Sequence, residues 1–93
     1  MKGIRKSLDF GCGFRVPVTF KPSIPGRDGE FDPNTNSIAL NSSSPLWEQY
    51  DAYAHEVVHA AIDFCRHVQQ QYVIPMRLEA ERTKHALNEG EHD

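Results

Sequence analysis

Two histidines and a glutamate, arranged as His55-Glu56-Val57-Val58-His59, are the residues of this chain best suited to chemistry. If the segment is helical, the two histidines leave the same face and can share one metal ion, and zinc accepts such nitrogen ligands. Glu56 lies beside them and can take a proton from a metal-polarised water. The spacing predicts a zinc centre with Glu56 as general base, not as a ligand. The alternative is a chance pattern on an ordinary amphipathic helix.

A long helix is predicted to carry the motif. Ser44 followed by Pro45 supplies an N-cap and a proline at the first helical position. Apolar residues then recur at helical spacing, with no glycine or proline before Pro75. We expect this helix to span about residues 45 to 71.

A second helix is predicted to follow Pro75, because proline ends a preceding helix and is tolerated in the first turn of a new one. Good helix formers continue from Met76 until Gly90, which is expected to stop the helix. Residues 90–93 are expected to form a frayed tail.

The third zinc ligand must come from outside the motif, because a catalytic zinc has three protein ligands and one open position. The second helix offers Glu79 and Glu81. Glu79 shares a face with an apolar stripe, where a carboxylate needs a partner or a metal, whereas Glu81 falls on a polar face. We expect Glu79 to point inward as the ligand; the alternative is a pair with a buried arginine such as Arg82 or Arg66. The stripe consists of Met76, Ala80, Thr83 and Leu87.

The residues before the long helix are predicted to form strands. Segments 29–31 and 37–41 flank the turn-forming residues 32–36, which predicts a hairpin. The alternating patch 16–20 is interrupted by Pro17 and reads as a short edge strand at best. The expected fold is α+β: a short antiparallel sheet or hairpin packed on the long motif helix and a second C-terminal helix.

Asp63 lies one turn beyond His59 and could orient an imidazole through a hydrogen bond; a plain surface carboxylate is the alternative. Cys65 is expected to be a buried core thiol. The remaining histidines are expected at the surface: His67, His85 and His92.

Length and composition indicate one domain. The chain has 93 residues, of which 25% are charged and 39% hydrophobic, and residues 1–25 form its strand-containing N-terminal segment. The net charge of -3, with scattered basic residues, argues against nucleic acid and anionic membranes as partners. No apolar run suits a secretory core or a membrane span, so a cytoplasmic location is expected.

The segment HEVVHAAIDF, a glutamate 20 positions after His59 and an upstream hairpin strand together resemble the gluzincin metallopeptidases, especially minigluzincins and ImmA/IrrE-like metallopeptidases. The resemblance covers about residues 29 to 88. It implies zinc bound by His55, His59 and Glu79, with Glu56 as the base. It also implies a protein or peptide substrate held along an edge strand formed by Ser37, Ile38, Ala39, Leu40 and Asn41.

The larger members of the family stabilise the oxyanion with a residue from a further domain. That donor is the main feature of the family pattern that is missing from this sequence. The candidates to replace it are Tyr72, Arg82 and His85.

Three functions therefore compete. The first is a zinc-dependent endopeptidase, and the second is a non-catalytic zincin-fold binding or assembly module, compact enough to suit a phage product. The third is a helical domain in which the motif is coincidental. Glu56 favours the enzyme, because purely structural zinc sites fill all four positions with protein ligands and need no base.

Overall fold

The computed structural model describes residues 3–91, with side chains described for residues 3–88. Its four strands form one sheet in the order β1-β2-β4-β3, in which β4 is parallel to β2 and the other pairs are antiparallel. The α+β class is confirmed, although the sheet is mixed and not antiparallel. The elements are β1 (Ser7–Asp9), β2 (Arg15–Lys21), β3 (Gly29–Asp32), β4 (Ser37–Asn41), α1 (Leu46–Val68), a π-helical segment (Gln69–Val73) and α2 (Ile74–Glu91).

The predicted hairpin is formed by β3 and β4, with Asp32 opposite Ser37. Asp32 Oδ1 accepts a hydrogen bond of 2.9 Å from the backbone N–H of Asn34, which tightens the turn. The prediction that Ser37–Asn41 is a sheet edge is wrong, because β2 pairs along its other side from Ile38 onwards. The edge strand beside the helices is β3.

β2 is an interior strand, although its proline predicted an edge. Pro17 lies opposite Ser7 of β1, and pairing with β4 begins only at the next residue, Val18. The missing N–H of Pro17 therefore costs no bond to β4. Proline is tolerated here because of this offset between the two neighbours of β2.

The core lies between the sheet and α1. Val16, Ile38 and Leu40 are fully buried, and each such aliphatic side chain contributes about 1.5–3 kcal/mol relative to its exposed state. α1 turns a face of small or polar residues towards the sheet, so the helix can approach closely. That buried face consists of Gln49, Ala52, Glu56 and Ala60.

α1 begins one residue later than predicted, at Leu46, with Pro45 in the N-cap position and no side-chain cap. Ser44, the predicted cap, instead bonds Asp28 Oδ1 through its hydroxyl at 2.7 Å. The buried Gln49 also ties the helix start to the preceding loop, since its Nε2 donates to the carbonyl of Ser44 at 2.7 Å. The loop and the first turn of α1 therefore support each other.

Pro75 does not end the helix, contrary to the sequence prediction. The π-helical segment before it widens the turn, with the N–H of Ile74 donating to the carbonyl of Gln69. This wider turn gives room for a proline that would clash in a regular α-helix. α2 then continues through Gly90 to Glu91, so the glycine does not stop it either.

α2 projects away from the sheet. Every side chain described in it, from residue 74 to 88, is exposed, and the longest extent of the molecule is 71 Å. The predicted frayed tail is helical at Gly90 and Glu91, while His92 and Asp93 lie outside the described residues. Within residues 3–91, no helix combines the length and apolar character needed to cross a membrane.

Candidate metal centre

A close approach between α1 and β3 positions the site. A Cβ added to Gly29 would lie 3.2 Å from Ala52 Cβ and 3.1 Å from Leu40 Cδ2, so no larger residue fits without displacing its neighbours. Glycine on the strand and alanine on the helix let the two backbones come together. The next turn of α1, which carries His55 and Glu56, consequently lies beside the sheet edge.

The two motif histidines face each other. Their Nε2 atoms are 3.0 Å apart, and their rings meet edge to face with centroids 4.6 Å apart. Two nitrogens bound tetrahedrally to zinc at its usual bond length would lie roughly 3.3 Å apart. At this distance one ring can donate its N–H to the other, and a cation could take the place of that proton. The pair therefore fits a metal ion with only a small adjustment.

Glu56 is the buried member of the group. Only 7% of the residue is exposed, and its Oε1 lies 3.9 Å from His55 Nε2. Packing against the sheet holds its side chain in place, while the imidazole of His55 is mostly exposed. One potential ligand atom from each of His55, Glu56 and His59 lies within 4.8 Å of the others, so this group can hold a metal ion.

A cleft of about 830 Å³ opens in front of this group, between β3 and α1. Gly29, Glu30 and Phe31 form its strand wall, and the three motif residues form its helix wall. Acidic residues outnumber basic ones in its lining, which favours a cation. The charged residues that line it are Arg27, Asp28, Glu30, Asp51, Glu56, Asp63 and Arg66.

The pKa of one carboxyl group near the start of α1, that of Glu48, is raised by burial and by its acidic surroundings. The side chain of Glu48 is half-buried, and this burial together with the charges of Asp28 and Asp51 raises its pKa above the ordinary value of 4.5. Negative charge therefore accumulates at the start of α1.

Asp63 lines the same cleft, half-buried, one turn beyond His59. It lies outside the three-residue group. Among the described hydrogen bonds, the histidines bond to each other and not to Asp63. Its expected role in orienting an imidazole therefore stays a prediction.

Glu79 is far from the histidines. Twenty residues along a nearly continuous helix correspond to roughly 30 Å, and its side chain is 72% exposed, with Oε2 3.7 Å from Arg82 Nη1. The prediction that Glu79 points inward is wrong, because α2 does not fold back over α1. The alternative, a pair with a buried arginine, is wrong as well, because Arg82 is also exposed. Among the described residues, only Glu56 joins the two histidines.

The other sequence predictions near the site had different outcomes. Cys65 is exposed and not a core thiol. His67 is half-buried, with its ring centroid 5.5 Å from that of Phe14, and His85 is exposed as expected. His92 lies outside the described residues.

The edge strand β3 is the part of the site that sequence reasoning missed. The hairpin was recognised, but the wrong strand of the pair was assigned to the edge. A signal was present in β4, whose central residues Ile38, Ala39 and Leu40 are consecutive apolar residues, and all three are buried. Such a run is typical of a strand covered on both faces and flanked by neighbours.

Comparisons of the chain with protein-family profiles, with curated proteins and with solved structures found no match. The likeness to gluzincins therefore rests on the motif and its helix. The function has to be argued from the chemistry of the site.

Proposed function

We propose that the protein is a zinc-dependent metallopeptidase in which His55 and His59 supply two of the zinc ligands and Glu56 is the general base. The observation that supports this most is the pair of Nε2 atoms 3.0 Å apart in an acidic cleft, with a buried carboxylate 3.9 Å from one of them. A surface pair of histidines would not need a buried carboxylate at its side.

A zinc ion bound there would activate water and polarise a peptide carbonyl. Glu56 would accept the proton of the attacking water and pass it to the leaving amine. Its burial limits the rotamers of its side chain, so the carboxylate is held ready for this transfer. The exposed imidazoles leave the cleft side open to substrate.

The substrate is proposed to lie along β3 and not along β4. β3 is the sheet edge on the cleft side, and an exposed edge offers unpaired backbone groups to an extended peptide. The acidic lining favours neutral or basic peptides over acidic ones.

A non-catalytic metal-binding module is the second candidate, and one observation favours it. Glu56 is close enough to both histidines to serve as a ligand, whereas Glu79 is not. If Glu56 binds the ion, it cannot act as the base. The two candidates therefore differ in what Glu56 does.

Glu56→Gln separates the two candidates, with Glu81→Gln on the exposed surface of α2 as the control. Each protein is loaded with zinc, its metal content is measured, and its cleavage of a mixed peptide library is followed by mass spectrometry. The peptidase predicts that Glu56→Gln keeps its zinc and loses about 10²–10⁴-fold in hydrolysis, while the control matches the wild type.

Three results would contradict the proposal. Full hydrolysis by Glu56→Gln would remove the assigned base. Loss of zinc from Glu56→Gln would make Glu56 a ligand. A wild type that binds zinc but cleaves no peptide would favour the module.

A further inference from the structure

The free edge of β3 offers the backbone groups of two residues, Gly29 and Phe31. The carbonyl of Asp28 accepts a hydrogen bond of 2.8 Å from the N–H of Asn41, which continues the register of the β3–β4 pair. Bonded positions alternate along an antiparallel pair. Glu30 therefore also bonds towards β4, and the N–H and C=O groups of Gly29 and Phe31 point away from it. An extended peptide beside β3 can bond to these two residues.

β3 and α1 run in the same direction along the two sides of the cleft. Ser44, just before α1, bonds Asp28 at 2.7 Å. Ala52, further along the helix, lies beside Gly29. The later residues of the strand wall therefore lie beside the later turns of α1, which carry the histidines and the residues that follow them.

The two ends of the cleft differ in charge. Asp28 and Asp51 line the end near the start of α1 and outweigh Arg27 there. The end beyond the histidines, which we call the far end, is lined by Asp63 and Arg66, whose charges have opposite signs. Covering the far end therefore removes no net charge from water, whereas covering the first end does.

Three apolar side chains line the cleft from the histidines to the far end. This apolar patch consists of Phe31, Pro33 and Ile62. Phe31 lies on the side of β3 that faces α1, because it is two residues after Gly29, whose added Cβ would point at Ala52. Ile62 is 48% exposed, although it lines a cleft. The patch is therefore open to a ligand that can cover it with apolar atoms.

Two features set the direction of a peptide bound along β3. Antiparallel pairing is the more stable arrangement, and it makes the peptide run from the far end towards the start of α1. Glu56 Oε1 lies 3.9 Å from Nε2 of His55, the histidine nearer the start of α1, and a base that protonates the leaving amine has to lie on the amine side of the cleaved bond. Both features place the residues N-terminal to the cleaved bond at the far end.

We propose that the apolar patch is a specificity subsite for a large apolar side chain on the N-terminal side of the cleaved bond, and that Ile62 determines this preference. The position relative to a cleaved bond rests on the proposed peptidase function, whereas the subsite itself requires only a bound peptide. The substrate side chain opposite Phe31 lies on the same face as Phe31, towards α1, and packs between the strand and Ile62. The substrate class is therefore extended peptides with Leu, Ile, Met or Phe shortly before the cleaved bond.

Cleavage specificity tests the proposal in the zinc-loaded wild type, Ile62→Ser and Ile74→Ser. Ile74 is the matched control, because it is the same residue type, is 47% exposed and lies outside the cleft lining. Products of a mixed peptide library should show apolar residues enriched before the cleaved bonds and not after them.

One cleaved peptide is then compared with the same peptide in which alanine replaces the enriched apolar residue. The wild type should prefer the apolar peptide by at least about tenfold in kcat/KM. Ile62→Ser should reduce this ratio to about twofold, while Ile74→Ser should keep it. The ratio within each protein is the readout, because a general loss of activity or stability leaves it unchanged.

Peptide binding to zinc-loaded Glu56→Gln tests the subsite without hydrolysis. The probes are a capped alanine–glycine peptide with one central phenylalanine and the same peptide with alanine in its place. The phenylalanine probe should bind several-fold more tightly, and adding Ile62→Ser should remove the difference. With a nitroxide label at its N-terminus, this probe should broaden the amide NMR signal of Ile62 more than that of Asp51.

Four results would overturn the proposal: apolar enrichment after the cleaved bond, equal losses of preference in Ile62→Ser and Ile74→Ser, equal binding of the two probes, or stronger broadening at Asp51. A wild type that cleaves no peptide would contradict the peptidase alone, and the binding comparison would then decide the subsite.

Discussion

The two halves of the long helix behave differently although both have an amphipathic sequence. α1 packs Ala52, Glu56 and Ala60 against the sheet, whereas every described side chain of α2 is exposed. The periodicity of a helix thus shows which residues share a face but not what covers that face. The motif residues lie in the packed half, and Glu79 lies in the unpacked half.

The difference in packing also determines which of the predicted site residues have a fixed position. The burial of Glu56 beside an edge strand fixes its position. The positions of His55 and His59 are set by the same packed part of α1. Glu79 is positioned only by the continuation of the helix. The position of the candidate site is therefore set by the sheet and α1.

The largest expected contrast is between two leucines. Leu40→Ala empties a fully buried position and should cost about 2–5 kcal/mol of unfolding free energy. Leu78→Ala, at a position 55% exposed on α2, should change it by no more than about 0.5 kcal/mol. Denaturant unfolding of both variants measures the contrast, and equal losses would mean that α2 is packed after all.

A second variant tests the contact that places the site. Gly29→Ala puts a Cβ 3.1–3.3 Å from Leu40, Ala52 and the carbonyl of Ala39, so it should cost about 1–3 kcal/mol. Asn34→Ala, in the exposed turn of the same hairpin, is the control and should be nearly neutral in the same unfolding assay. A Gly29→Ala protein as stable as the wild type would show that α1 lies further from β3.

A smaller effect is expected from Glu48→Gln. Burial and the charges of Asp28 and Asp51 raise the pKa of Glu48, outweighing the attraction of the helix N-terminus for negative charge. Since the folded state holds this proton more tightly, ionised Glu48 destabilises it at neutral pH. Glu48→Gln should raise Tm at pH 7.

The gain from Glu48→Gln should fade as the pH falls below 4.5, where Glu48 is protonated in both folded and unfolded chains. Thermal unfolding across this range measures it, with Glu81→Gln as the control. A gain that persists in acid would contradict the assigned cause.

No effect is expected from Glu79→Gln on zinc affinity. Its carboxylate is exposed and about 30 Å from His59 along the helix, so it should behave like Glu81→Gln in a zinc titration. A many-fold loss of affinity in Glu79→Gln alone would mean that α2 folds back onto the site, and the contrast between the two halves would disappear.

Local features of the fold could be predicted from the sequence. The hairpin follows from the turn residues 32–36, and the motif helix follows from its apolar spacing. The shared face of His55 and His59 follows from helix geometry alone. These features depend on residues close in sequence.

The two errors that change the site concern the partner of a strand and the path of a helix. The edge assignment of Ser37–Asn41 failed because β2, far away in sequence, pairs in parallel with β4. The inward Glu79 failed because a π-helical turn accommodates Pro75 and the helix continues. Neither the partner of a strand nor the path of a helix beyond a proline is fixed by local pattern.

Zinc stoichiometry tests the central claim most directly. Native mass spectrometry of the zinc-treated wild type should show one ion per chain, and His59→Ala should show none, because a single remaining imidazole beside Glu56 holds zinc weakly. His67→Ala, on the same helix but outside the cleft, should keep the ion. A wild type that takes up no zinc, or a His67→Ala variant that loses it as His59→Ala does, would contradict the assignment of the metal centre.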